Sequence, residues 1–250
     1  MLLKYDFHIH SCLSPCADSD MTPANIAAMA MLAGYDIIAL SDHNTTKNCP
    51  AFIEACKNYG ITGFPAMELN TSEEVHILCI FSKLDDALAF DEYVYERLPD
   101  IKNRPEFFGE QTIMDSSDQI IGHESKLLTN ATGISVNEVA SLLKSYNAIA
   151  IPAHIDRDSF SLISNLGIVD FTLGFDLVEL SPNANIEDML GRNPELLGLK
   201  YIINSDAHTL TSMPDALHTI YCDDFGLIDP ARALQTGKHI PLLGSGDTLF

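Results

Sequence analysis

An α/β fold, with a parallel sheet left open or closed into a barrel, is predicted by three observations. Short apolar runs of strand length recur along the 250 residues, and helix-like stretches separate several of them. Histidines and carboxylates then gather where the runs end. In chain order the candidate strands are 3–8, 36–41, 63–68, 74–81, 148–154, 175–180, 200–205 and 217–222. Helical patterns fall over 23–34, 49–59 and 84–98. A further helix should open at Ser135-Val136-Asn137-Glu138, a capping-box signal, and run to about Tyr146. Residues 99–133 are mixed and polar and break the alternation, which makes them an insertion over one face of a single domain spanning 1–250. No repeat at solenoid spacing and no low-complexity tract is present.

Composition narrows the class. The chain is 46% hydrophobic, enough for one large core, and carries a formal net charge of −21 from 14 basic and 35 acidic residues. Such a field repels a nucleic-acid backbone and an acidic membrane surface, and so disfavours a long nucleic acid as partner. No stretch approaches the roughly 20 apolar residues that span a bilayer, and no signal peptide is visible at the start. The six cysteines (12, 16, 49, 56, 79 and 222) lack the paired two-residue spacing of a zinc ribbon. Buried reduced thiols are expected, as in a cytoplasmic protein.

The chemistry lies at the strand ends. His8 and His10 stand at i and i+2, so both imidazoles should leave one side of the first strand. Asp42 and His43 follow the second run, Glu68 ends the third, and His76 lies within the fourth. His154 ends the fifth, and Asp206 and His208 follow the seventh. In a parallel architecture the carboxyl ends share one rim, where sites are built. A single histidine at a strand end is more often a hydrogen-bonded or exposed residue, and an aspartate there can be a helix cap. Six histidines and three or four acids on one rim point instead to a multinuclear metal site. Mixed imidazole and carboxylate donors suit Zn²⁺, Mn²⁺ or Fe²⁺ better than Ca²⁺ or Mg²⁺. Nine ligands exceed one coordination sphere, so two or three divalent ions are expected, with Glu68 able to bridge a pair.

These residues resemble the PHP (polymerase and histidinol phosphatase) superfamily of metal-dependent phosphoesterases. The likeness is carried by Asp6-Phe7-His8-Ile9-His10-Ser11, Ser41-Asp42-His43-Asn44 and Met67-Glu68, and continues through Val75-His76-Ile77, Pro152-Ala153-His154-Ile155-Asp156-Arg157 and Ser205-Asp206-Ala207-His208. It implies a distorted parallel (β/α)7 barrel with the insertion over the active-site face. It also implies a three-metal site: one ion on His8, His10, Glu68 and Asp206, a second on Glu68, His76 and His154, and a third on Asp18, His43 and His208. The family usually places the acid of the third position five residues after the second histidine. Here Ser14 is followed by Pro15-Cys16-Ala17-Asp18, and Pro23, five residues after Asp18, supports Asp18 over Asp20. Asp42 looks like a residue that orients its neighbours rather than a ligand.

Arg157, three residues after His154, matches an arginine common in family phosphoesterases and could grip a phosphate oxygen pair. The expected reaction is hydrolysis of a small phosphomonoester, a nucleotide or phosphorylated metabolite, by a metal-activated hydroxide, with Arg157 neutralising charge and His208 a candidate proton donor to the leaving oxygen. Alternatives are a histidinol-phosphate phosphatase, an exonuclease on short oligonucleotides, and a non-catalytic metal-binding module. His123 and Lys126 in the insertion could reach substrate, although exposed loop residues are the equal or better reading of both, and His218 and His239 are expected to be structural. The Gly244-Ser245-Gly246-Asp247 string is too short and wrongly placed for a phosphate loop. Oligomeric state leaves no mark on the sequence.

Overall fold

The computed structural model describes residues 1–167, 170–222, 234 and 240–244. Ten strands and seven helices alternate through them, with three short 3₁₀ turns between. The strands are β1 (Leu2–Asp6), β2 (Ile37–Leu40), β3 (Thr62–Asn70), β4 (His76–Phe81), β5 (Thr112–Met114), β6 (Ile120–His123), β7 (Ala148–Pro152), β8 (Leu177–Leu180), β9 (Lys200–Ile203) and β10 (Thr219–Tyr221). The helices are α1 (Pro23–Ala33), α2 (Cys49–Asn58), α3 (Leu84–Tyr95), α4 (Pro105–Phe108), α5 (Val136–Lys144), α6 (Leu162–Leu166) and α7 (Ile186–Arg192).

One sheet runs β10-β1-β2-β3-β4-β7, and β8 pairs with β9 beside it. Sparse contacts complete the arc: the Ile155 amide donates to the Glu179 carbonyl past the end of β7, and Ile9 bridges Ala207 past the ends of β1 and β9. The result is a curled, distorted α/β barrel. Strands β2, β4 and β8 are buried on both faces, which is why they read as continuous apolar runs rather than alternating ones. In β2, Ile37 and Ala39 face an inner core with Phe7, Leu78 and Ile202, while Ile38 and Leu40 face α1 and α2. In β4, Leu78 and Ile80 point inward, and Ile77, Cys79 and Phe81 pack under α3 and α5.

Strand direction departs from the parallel expectation at β4 and at β10. β4 is antiparallel to both β3 and β7. The cause is local: only five residues join β3 to β4, too few for the crossover that a parallel neighbour requires. The reversal brings the first residue of β4, His76, to the rim where the other strands end. β10 is antiparallel too and covers the outer edge of β1.

Helix ends follow the local sequence. Thr22 caps α1, Pro23 opens it, and Gly34 closes it at φ 82°. Ser135 caps α5 through the Asn137 amide, but the reciprocal carboxylate comes from elsewhere. Glu73, in the β3–β4 turn, accepts from Ser135 Oγ at 2.6 Å and from the Val136 amide at 2.9 Å. Segment 99–133 forms α4 and the β5–β6 hairpin, fastened to the rim by Asn48, whose amide side chain bonds Thr112 O (3.1 Å) and Met114 N (3.0 Å). Gly109, at φ 100°, lies so close to the Pro15 carbonyl that a Cβ would approach it to 2.7 Å.

Candidate metal centre

Glu68 ends the inner part of β3 and is 1% exposed, surrounded by imidazoles. Its Oε1 lies 2.8 Å from His76 Nδ1, 3.1 Å from His154 Nε2 and 3.3 Å from His8 Nε2. Its Oε2 lies 3.0 Å from His43 Nδ1 and 3.3 Å from His10 Nε2. Asp206 Oδ1 faces the same space, 3.1 Å from His10 Nε2 and 3.3 Å from His8 Nε2. Two of these side chains hang from left-handed backbone, His154 at φ 32° and Asp206 at φ 52°. That conformation is costly for residues other than glycine and is concentrated at functional sites.

Donor atoms close enough to share an ion form three groups: His8, His10, Glu68 and Asp206; His43, Glu68 and His76; and His10, His43 and His208. The first equals the expected set for one ion. The second keeps Glu68 and His76 together, with His154 against the same Glu68 oxygen. The third brings His43 and His208 together without Asp18. Asp18 is exposed, and only its backbone meets the cluster, donating to His208 O at 2.9 Å. The three residues that lengthen this loop let Asp18 N–H reach His208 while its carboxylate faces outward.

The donor set fits divalent cations on its own geometry. His8 Nδ1 lies 2.9 and 3.0 Å from the two oxygens of Glu179, so it donates a proton there and turns an Nε2 lone pair inward. His10 Nδ1 meets Ser14 Oγ at 3.0 Å, and Ser14 has already given its own proton to Asp42. His10 therefore also turns a lone pair inward, and the two Nε2 atoms stand 3.1 Å apart. Two lone pairs at that distance repel unless a cation lies between them. Protons can take that role: burial lowers both imidazoles, yet the carboxylates around them hold His8 well above its ordinary range and His10 at about 9. His43 is lifted to about 9, burial being outweighed by Glu68. Burial raises Glu68, but His76, His8 and His43 hold its carboxyl well below the usual range. His43 Nδ1, His154 Nδ1 and Asp206 Oδ1 are buried without a well-formed hydrogen bond.

Supporting residues were only partly visible in the sequence. Asp42 accepts from Ser11 N, Ser11 Oγ and Ser14 Oγ, each at 2.7 Å, and so holds the loop that orients His10. Glu179 was missed. It also accepts from Asn204 Nδ2 (2.7 Å) and from the His154 amide (3.1 Å). A carboxylate inside the apolar string Leu177-Val178-Glu179-Leu180 was the available signal, since a buried charge needs partners. Phe160, equally unforeseen, stacks on His76 at 4.7 Å.

Arg157 is 40% exposed in its side chain and pairs with Asp206. It lines a cavity of about 110 Å³ with His43, Glu68, His76, His154 and His208. His208 has its imidazole lowered to about 4, by burial first and then by the nearby His10. Lys126 is spent on the carbonyls of Tyr95, the last residue of α3, and of Leu98 just beyond it, at 3.0 Å each. His123 stands apart, bonded to Glu110 O at 3.1 Å, and faces a larger cleft of about 630 Å³ beside Ser14 and Asp18. His218 lies outside the cluster at the β10 edge, its carbonyl accepting from Tyr5 N. His239 and residues 245–247 fall outside the described residues. None of the six cysteines forms a disulfide and five are buried, but Cys16 is exposed. Among the described residues no helix is long and apolar enough to cross a membrane.

The sequence profile of the PHP domain matches residues 6–155, more than half of the chain. The chain belongs to the PHP domain family. Solved structures of similar fold include a lesion-specific endonuclease from Pyrococcus furiosus, with a TM-score of 0.68 and 19% identity over 97% of this chain. That alignment covers 58% of the endonuclease, so this chain spans little more than half of that relative. A protein assigned as a metal-dependent phosphoesterase from Bifidobacterium adolescentis aligns at TM-score 0.52 and 18% identity, covering 82% of this chain and 87% of that one. An amidohydrolase from Chromobacterium violaceum, solved with bound sulfate, aligns at TM-score 0.55 and 19% identity, covering 86% and 90%. No curated protein sequence matches the chain. PHP membership places the protein in a metal-dependent phosphoesterase family, and the histidine–carboxylate clusters suit divalent metal binding.

Proposed function

We propose that this PHP domain hydrolyses a small phosphomonoester, a nucleotide or phosphorylated metabolite, at the His8–Asp206 cluster. The observation that carries the reading is Glu68, one buried carboxylate within 3.3 Å of five imidazoles. His8, His10, Glu68 and Asp206 would hold one divalent ion, and Glu68, His76 and His154 a second, with His43 and His208 in a third position. Bound there, Mn²⁺, Fe²⁺ or Zn²⁺ supplies Lewis acidity and lowers the pKa of water.

The protein's own groups do the rest. Arg157 presents a planar fork at the cavity mouth, suited to two oxygens of a phosphoryl group. Leaving Asp206 for a phosphate would cost Arg157 little, because its side chain is already partly solvated. Glu179 and Ser14 engage the Nδ1 atoms of His8 and His10, so each would offer Nε2 to an ion that displaces its proton. The low position of His208 keeps its imidazole neutral at pH 7, which favours a ligand role over that of proton donor. The small cavity suits a phosphoryl group with a compact leaving group, and segment 99–133 would set what else can enter. The fold likeness to the lesion-specific endonuclease favours a second reading, cleavage of a phosphodiester in nucleic acid, which the net charge of −21 opposes.

Protein reconstituted with Mn²⁺ or Zn²⁺ should release phosphate from one member of a panel of mononucleotides, sugar phosphates and histidinol phosphate. His10→Ala and Asp206→Ala should each abolish that release. Cleavage of a damaged duplex oligonucleotide without phosphate release selects the second reading. Tight metal binding with turnover of nothing in either panel marks a non-catalytic module.

A further inference from the structure

We infer that Phe160 is a specificity-determining residue: its ring is the wall against which a flat, aromatic leaving group packs. The inference rests on the phosphomonoester reading above and narrows the substrate to esters that carry an aromatic ring close to phosphorus. Among the described residues that line the metal cavity, Phe160 is the one whose side chain has no polar atom. It is 42% exposed and joins none of the hydrophobic clusters of the barrel. Its backbone is left-handed, at φ 55°, a conformation costly for a bulky residue. Core packing therefore does not account for a large apolar side chain at this position.

Two contacts fix the ring in place. The Phe160 carbonyl accepts from the His76 amide at 2.9 Å, and the ring stacks on the His76 imidazole at 4.7 Å, with 18° between the planes. The turn that carries it is braced at both ends. Arg157 N donates to His154 O at 2.9 Å, and Ser161, which caps α6, donates from Oγ to Arg157 O at 2.8 Å. Arg157 and Phe160 thus reach the same cavity from one braced turn. His76 covers one face of the ring, and the exposure of the residue leaves the remainder to the cavity and solvent. A phosphoryl group gripped by Arg157 would set its leaving group beside that surface. Apolar burial and π-stacking favour an aromatic group there, whereas the hydroxyls of a polyol would meet a ring that offers them no hydrogen bond.

Benzyl phosphate and glycerol 1-phosphate are both esters of primary alcohols, so the ratio of their kcat/KM values isolates this contact. With Zn²⁺- or Mn²⁺-loaded protein the benzyl ester should be favoured at least about fivefold, the low end for a flat ring stacked on an aromatic side chain. Phe160→Leu should bring the ratio close to one, mainly through KM, and Phe160→Tyr should restore it. Any effect transmitted through His76 falls on both substrates and cancels in the ratio. A wild-type ratio near one, or a ratio unchanged in Phe160→Leu, overturns the inference and leaves hydrolysis standing. A second measurement needs no turnover. Calorimetry on the same protein should show benzylphosphonate bound more tightly than methylphosphonate by a similar factor, with the difference lost in Phe160→Leu. Equal binding of the two overturns the inference as well. If no phosphomonoester is hydrolysed, the reading above fails, and the phosphonate pair still decides the role of Phe160.

Discussion

Glu179 shows how a single side chain can decide what a metal ligand offers. Both of its oxygens face His8 Nδ1, and Asn204 and the His154 amide fill its remaining acceptor capacity. Glu179→Gln keeps the shape but turns an acceptor into a donor beside the imidazole. Affinity for one ion should fall about 10- to 100-fold, the usual effect of losing such a partner, while the far-ultraviolet circular dichroism stays unchanged. A chelator-competition titration reads this, and unchanged affinity would remove Glu179 from the site. Arg157 makes the opposite prediction. Arg157→Ala should lower kcat/KM for the substrate by about 100-fold, as for loss of a charge-stabilising donor, with metal content unchanged. A variant that instead loses metal would show that Arg157 matters through Asp206 and not through substrate.

Elements are held to one another by side chains from outside their own segments. The amino terminus of α5 depends on Glu73, which stands 62 residues from Ser135. Slight burial raises this carboxyl, but the bonds from Ser135 and Val136 bring it below its ordinary value of 4.5. Because the folded value is the lower one, its contribution is fully present above pH 4.5 and is lost as pH falls through the folded value. Glu73→Gln should therefore cost about 0.5–1 kcal/mol at pH 7, a cap-sized effect reduced for its exposure. Chemical denaturation should show that difference shrink as pH falls below 4.5. Gly109 is the corresponding contact of segment 99–133. Gly109→Ala has neither the backbone freedom nor the space it needs and should destabilise by about 1–3 kcal/mol. Destabilisation well under that range would mean that the insertion is not braced on the Pro15 loop.

At the scale of the whole molecule, the centre joins residues from nearly every strand end, from His8 to His208. Ions that bind there bind only the folded chain and should stabilise it by mass action. At 100 times the dissociation constant the gain is about 2.7 kcal/mol, or roughly 5–10 °C in Tm for a chain of this size. A thermal melt with Zn²⁺ against one with chelator measures it. Absence of any shift would argue against a pre-formed centre.

How much of this was legible before folding depends on the range of the interaction. Apolar runs and their spacing placed all eight candidate strands to within a few residues, because burial on both faces leaves a mark on every residue of a strand. His8, His10, Glu68 and Asp206 were legible because their motifs are local, and the rim that unites them follows from strand ends sharing one side. The reversal of β4 was not written in periodicity, which carries no direction, although the short β3–β4 turn held the clue. The partners of Glu179, Glu73 and Phe160 were illegible for a different reason: they lie between 25 and 171 residues away or on another element. The sequence by itself determined the alternation of strands and helices and the donor types, and its likeness to the PHP motifs supplied the barrel and the family. Tertiary structure alone decided which nitrogen faces inward and that Asp18 is exposed with only its backbone reaching His208, because hydrogen-bond geometry is set only when distant segments close on one another.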